Sequence, residues 1–268
     1  MNKKYEHTAA IMAYGESPYL EECICSLKQQ SVKSRIYIST STPSLFLSRI
    51  SEKHNIPLFI NTHAEGIAED WSFAYNNCET RYLTLVHQDD VYLPKYTESC
   101  LATAEKQKND PLIVFTNYSE LFGDKVISLN LNLFIKKVLL SAFLFKESIN
   151  SYSAKKSILC FGNPIPCPSV MYNRGRIGHF EFSKEFCCNM DWDAWLRLSD
   201  RKGSFCYVKK IRMIHRIHGE AQTCRQIRTS ARKEEDEKIF KKLWSKPVAE
   251  ILSKLYYFGA NSKFLTQE

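Results

Sequence analysis

The sequence predicts an α/β protein, with a mostly parallel central sheet flanked by helices and a helical C-terminal extension. Over residues 8–116, apolar runs of strand length alternate with amphipathic helical stretches, the rhythm that builds parallel sheets covered by helices. One of these runs ends directly in paired acids, Asp89 and Asp90, and open α/β sheets bind ligands outside the carboxyl ends of their strands. Residues 227–258 instead mix lysines and arginines with Ile239, Phe240, Leu243, Trp244, Ile251, Leu252, Leu255 and Tyr256, which suits one or two amphipathic helices around Pro247.

Residues 8–14 form the first strand, ended by Gly15. Ser17 offers an N-cap with Pro18 at the first helical position, and Leu20, Cys23, Ile24 and Leu27 recur at helical spacing. Residues 35–39 make a second strand, Thr42 and Pro43 open a second helix, and residues 57–61 make a third strand. Trp71, Ala74, Tyr75 and Cys78 define a helix before the fourth strand at 82–86. Pro94 opens another helix, and residues 112–116 make a fifth strand. Residues 132–145 are apolar around Lys136 and Lys137; a span this short and interrupted cannot cross a bilayer, which needs about 20 apolar residues. The stretch reads equally as a core helix or as an interfacial, acceptor-facing one.

Composition narrows the function classes. The ten cysteines are scattered without a CxxC pair, which speaks against a zinc knuckle. Residues 1–7 are polar and lack the apolar core of a signal peptide, so reduced thiols in a cytoplasmic protein are expected. A formal net charge of +8 calls for a negatively charged partner. No nucleic-acid motif accompanies it, so nucleic acid is not the expected one.

Three constellations carry chemistry. His87-Gln88-Asp89-Asp90 closes the fourth strand; carboxylates there suit a hard divalent ion, Mg2+ or Mn2+, that shares its remaining positions with phosphate oxygens and water. A surface turn or helix cap would use the same residues. Asp191 precedes Trp192-Asp193 and Trp195, either as a helix N-cap or as an acid facing a cleft. Arg216 and His218 fall on one side of an extended chain, where they either reach a diphosphate and its metal or, as the pair taken alone more readily suggests, form a solvated basic strand end.

In this order the three resemble the inverting family 2 glycosyltransferases of bacterial surface-polysaccharide synthesis, over roughly residues 8 to 223. The resemblance implies a GT-A fold, with a catalytic domain of residues 1–223 and a basic amphipathic helical extension of residues 224–268. It implies a DxD metal and diphosphate site on Asp89 and Asp90 with His218, and Asp191 as general base. Arg216 and His218 would hold the diphosphate, and Ala13, Tyr14 and Thr40 the nucleotide base. Asn163 and Ser169, in the proline-rich segment beside the donor sugar, are further binding candidates, although a structural turn explains that segment more economically. The implied partners are a nucleoside-diphosphate sugar, a UDP-sugar first, and a glycan or lipid-linked acceptor. By its charge the basic C-terminal part suits either peripheral contact with the inner face of an anionic membrane or a solvated helix face packed on the catalytic domain.

The chain departs from the family pattern at three places. Ile38-Ser39-Thr40-Ser41-Thr42-Pro43 stands where the second strand usually ends in Val-Asp-Asp-Gly-Ser, His87 replaces an Asp, and Met190 stands where Glu is frequent. Hydroxyls are weaker partners for a base N–H than a carboxylate. Two alternatives follow: a catalytically inactive relative that binds glycan or membrane, and a sugar nucleotidyltransferase. The second would carry a Gly-rich basic loop after the first strand, whereas Tyr14-Gly15-Glu16-Ser17-Pro18 is acidic.

Overall fold

The computed structural model describes residues 5–107, 110–218 and 231–265. The alternating rhythm of the N-terminal half becomes β1 (His7–Met12), α1 (Leu20–Lys28), β2 (Arg35–Thr40), α2 (Leu45–His54), β3 (Leu58–Ile60), α3 (Ile67–Asn76) and β4 (Tyr82–His87). These strands pair in parallel in the order β3-β2-β1-β4. There follow β5 (Val91–Tyr92), α4 (Tyr96–Glu105), β6 (Pro111–Phe122), β7 (Lys125–Ile127), α5 (Leu131–Leu139), β8 (Ser148–Ile149) and α6 (Tyr152–Ser157). The chain continues through β9 (Val170–Asn173), α7 (Arg174–Ile177), α8 (Met190–Ser199) and β10 (Ser204–Ile217) to α9 (Ala231–Leu243) and α10 (Lys246–Leu265).

The sheet is mixed beyond β4, in a GT-A-like arrangement. β9 runs antiparallel between β4 and β6, and β10 lies parallel to β6. Proline at 164, 166 and 168 makes the reversal, because it withholds donors and fixes φ; a 3-10 turn at Cys167–Ser169 then delivers the chain into β9. β6 runs on to Phe122, past the Thr116 end that its sequence suggests, since Asn117 to Glu120 pair with β10 and the Gly123-Asp124 turn returns the strand as β7.

Apolar layers cover both faces. On one, Leu20, Ile24 and Leu27 of α1, Leu47 of α2, and Tyr96 and Cys100 of α4 bury against the strands. On the other, Trp71 and Tyr75 of α3 join Tyr172, Trp192, Trp195, Phe205 and Phe240. The C-terminal helices belong to this second core. Phe240 is fully buried with its ring 5.2 Å from that of Trp192, and Tyr256 lies 5.4 Å from the same indole. Pro247 falls in the first turn of α10, just after the break at Trp244 and Ser245. Residues 219–230, including Arg225 and Ile227, lie outside the described residues.

The expected Ser17 cap is not made. The helix opens at Leu20 after Tyr19, with no side-chain cap, because the Ser17 hydroxyl donates to Asp89 and accepts the Tyr19 N–H at 3.2 Å. Ser44 instead caps α2, accepting from the Leu47 amide.

Candidate active site

β4 is buried through Val86 and apolar but for Thr84, whose hydroxyl pairs with His7 and Tyr96; charged residues begin only at its tip, and there the two acids divide. Asp89 takes the Ser17 hydroxyl on one oxygen and holds the other 3.2 Å from His218 Nε2. Its carbonyl accepts from Arg216 Nε at 3.0 Å. Arg216 also reaches Glu22 at 2.5 Å and lies 4.2 Å above the Tyr19 ring, which stands 5.2 Å from His218. Asp89, Arg216 and His218 thus share one polar cluster at the carboxyl end of the sheet, fastened by α1.

Asp90 turns inward. It is 1% exposed, and its Oδ1 accepts from His215 Nδ1 at 2.9 Å and from the Arg216 amide at 3.0 Å. Among the described residues its Oδ2 has no hydrogen-bond partner, and it lies 4.0 Å from His87 Nδ1. Burial raises the Asp90 carboxyl, but the charge and hydrogen bond of His215, the charge of His87 and the Arg216 amide outweigh it and hold the group below the ordinary carboxylate value. Burial likewise works against the His215 imidazolium, and Asp90 reverses it, so His215 stands above the ordinary histidine value. His87 is lowered, chiefly by burial.

Asp191 lies in the first turn of α8, one residue past the Met190 that opens the helix. Its Oδ2 accepts from Asn163 Nδ2 at 2.8 Å and its Oδ1 from the Trp192 amide at 2.7 Å. Burial raises its pKa, partly offset by those two hydrogen bonds and by the charges of Arg232 and Lys136. Asp191 and Asp90 both lie within electrostatic reach of Cys167, whose thiol is pushed up by burial and further by each of them, and Lys136 acts on both Asp191 and His215. The first turn of α8 is itself held from the C-terminal region. Glu235 of α9 accepts the amides of Cys187, Cys188 and Asn189 at 2.7, 2.8 and 3.0 Å, and Asp236 accepts from the Asn189 side chain at 2.8 Å.

Of the remaining expected residues, Asn163 is drawn into the Asp191 network, while its Oδ1 accepts the Ile165 amide at 3.1 Å. Ser169 is fully buried and spends its hydroxyl on the Pro166 carbonyl, closing the turn. Ala13 is buried at the end of β1 and its amide donates to Ser39. Tyr14 is exposed, its carbonyl accepting from Gln88. Thr40 is buried, and its hydroxyl accepts the Thr42 amide at 3.0 Å. Beside Thr40 stands a carboxylate that sequence reading missed: Asp70 of α3 accepts from Ser41 at 2.6 Å and from Asn61 at 3.1 Å. His215 was missed too; strand alternation puts it on the side of β10 opposite Arg216 and His218, the side facing Asp90.

The residues fit a divalent cation. Single ligand atoms of His87, Asp90 and His215 lie within 4.8 Å of one another, and the unpartnered Asp90 Oδ2 and His87 Nε2 are buried. Asp89 with His218 forms a second carboxylate–imidazole pair at the mouth.

The description "Glycosyl transferase family 2" matches residues 8–169, from β1 to the turn before β9. The chain belongs to that family. Membership carries the enzyme class, a glycosyltransferase. The fold is also that of S. aureus TarS: the structure of TarS residues 1–349 in complex with UDP-GlcNAc aligns with TM-score 0.62 at 11% identity, covering 97% of this chain and 73% of that one. The complex with UDP aligns with TM-score 0.61 at 11% identity, covering 96% and 71%. Against the longer TarS structure, with TM-score 0.60 and 12% identity, 96% of this chain spans 43% of that one. No curated protein matches the chain.

Proposed function

We propose that this family 2 protein is an inverting transferase that moves a sugar from a nucleoside-diphosphate donor, a UDP-sugar, to a hydroxyl of a glycan or lipid-linked acceptor in cell-surface polysaccharide synthesis. The observation that carries the reading is the placing of two carboxylates around Cys167: Asp90 bonded to His215 and held low by its imidazoles, Asp191 bonded to Asn163 and raised by burial. Environments that push two titratable groups apart mark acid and base roles. The UDP and UDP-GlcNAc held by the TarS structures support the donor class.

In this mechanism Asp191, oriented by Asn163, takes the acceptor proton as the acceptor oxygen bonds to the anomeric carbon. The bond from that carbon to the diphosphate breaks, and the nucleoside diphosphate leaves with the electron pair. A single displacement inverts the anomeric centre. Arg216 and His218 face the departing phosphates with charge and N–H donors. Asp89 and His218, or Asp90 with its imidazoles, would hold Mg2+ or Mn2+, which when bound would neutralise the leaving group's charge. Ala13, Tyr14 and Thr40 line the base side, where Asp70 supports the carboxylate role that β2 lacks. On this reading residues 1–223 are catalytic and residues 224–268 an extension that braces α8. Among the described residues no helix is long and apolar enough to cross a membrane, in keeping with work at the cytoplasmic face.

Calorimetry of UDP with and without Mn2+ tests the reading on Asp89→Asn. Mn2+ should strengthen UDP binding to the wild type and have little effect on the variant; equal Mn2+ dependence in both removes Asp89 from the site.

A further inference from the structure

α5 is turned the wrong way for a helix of a protein that meets only water. Leu133 is buried beneath it, yet Leu131, Phe134, Ile135 and Val138 are exposed. Positions i, i+3, i+4 and i+7 share one face, which normally turns toward a core. The apolar surface continues into Leu144 and Phe145, the latter 94% exposed. α10 adds to it: Leu139 of α5 and Tyr256 of α10 meet at Gly162, and Val248, Ile251 and Leu255, at the same kind of spacing, are exposed on α10. Contiguous exposed apolar surface of more than a few hundred Å² marks a partner or a membrane.

We propose that the outward face of α5, with Leu144 and Phe145, docks the protein on an anionic lipid bilayer. Charge selects this occupant. Residues 124–147 carry four lysines, Lys125, Lys136, Lys137 and Lys146, against two acids, Asp124 and Glu147, and Lys137 and Lys146 are exposed beside the apolar side chains. A second copy pairing through this face would set a surplus of lysines against a surplus of lysines, since Asp124 and Glu147 do not balance the four lysines of the stretch. At a bilayer surface the leucine and phenylalanine side chains enter the acyl boundary, while lysine stems lie along it with their ammonium groups at the phosphates. Each lysine then adds to the attraction, and salt weakens it. The inner side of the same helix carries Lys136, whose Nζ donates to the Tyr118 hydroxyl at 2.8 Å. The docking helix thus also carries, on its inner side, the lysine whose charge acts on Asp191, so that, on the transferase reading, docking holds the base's side of the molecule near a lipid-borne acceptor.

The test is co-sedimentation of the full chain with phosphatidylcholine vesicles, with and without phosphatidylglycerol. Wild type should bind the anionic vesicles and release with salt. Phe134→Ser with Phe145→Ser should bind about tenfold more weakly or worse while keeping the wild-type melting temperature, both side chains being exposed. Lys137→Gln with Lys146→Gln should lose the preference for phosphatidylglycerol. Failure of wild type to bind either vesicle, equal binding to both, or undiminished binding by the phenylalanine variant overturns the proposal. So does light scattering that shows a dimer which the phenylalanine variant dissociates. UDP binding with Mn2+, measured on the same samples, separates failure of the docking from failure of the transferase reading.

Discussion

Replacement of Asp191 by Asn tests the base directly, and the structure sets its size. The exchange keeps the shape of the side chain and an oxygen for the Trp192 amide at 2.7 Å, but turns the second oxygen into an NH2 group facing Asn163 Nδ2. Asn163 is not free to rotate its amide, because its oxygen accepts from Ile165. One donor is left unmatched, at a structural cost of about 1–3 kcal/mol. Against this, the variant removes a buried charge: the folded-state pKa of Asp191 is raised, so its ionised form costs stability at neutral pH, a cost absent below the ordinary carboxylate value. The two effects oppose, and the melting temperature should move little. Turnover should not be spared, since a positioned general base contributes roughly 10²- to 10⁴-fold. The assay is release of UDP from a UDP-sugar in the presence of Mn2+ and acceptor, with UDP affinity measured in parallel. The wild type should lose kcat/KM as pH falls through the raised Asp191 value, and the variant should lose that acid limb. A folded Asp191→Asn protein that keeps wild-type turnover, with the limb intact, refutes the assignment.

Further expectations concern the supports of the site. His215→Gln should destabilise the protein in a pH-dependent way. The contribution from the raised His215 is present below its unfolded value and fades as pH rises through the folded one, and that from the lowered Asp90 fades as pH falls through its folded value. The gap in melting temperature should therefore be widest in the mildly acidic range and narrow on both sides; a gap that does not vary with pH removes the pair from the stability account. Phe240→Ala should cost about 3–5 kcal/mol in denaturant unfolding, because the ring is fully buried against Trp192; a loss well under 1 kcal/mol would show that the C-terminal helices do not share the core. Gly203→Ala should also lower stability, since Gly203 has φ +128° and a Cβ there would come within 2.8 Å of Leu112; an unchanged melting temperature would contradict that strain.

The fold was legible where one signal sufficed. Strands β1 to β4 announce themselves as apolar runs between helices, and the acids at the β4 tip follow from the rule about strand ends. The antiparallel turn of β9 was not readable, because the prolines at 164, 166 and 168 announce a break without saying where the chain goes next. Strand alternation grouped Arg216 with His218, and both lie against Asp89, but it passed over His215, whose contact with Asp90 exists only because that acid turns inward. The absence of acids from β2 was plain in the sequence; that Asp70 of α3 stands beside Ser41 depends on packing across 29 positions. Glu235 belongs to the same class, since nothing local distinguishes it from its acidic neighbours on α9.

That glutamate changes what the C-terminal region is. A carboxylate from α9 gathers the three amides that lead into α8, so the helix bearing Asp191 begins on an anchor supplied some 46 to 48 positions later in the chain. Trimming the protein back to its sheet would cut that mooring and let the entry to α8 fray. A chimera that exchanges this tail for a relative's must bring along an acid at the same spot, or the recipient inherits a loosened base.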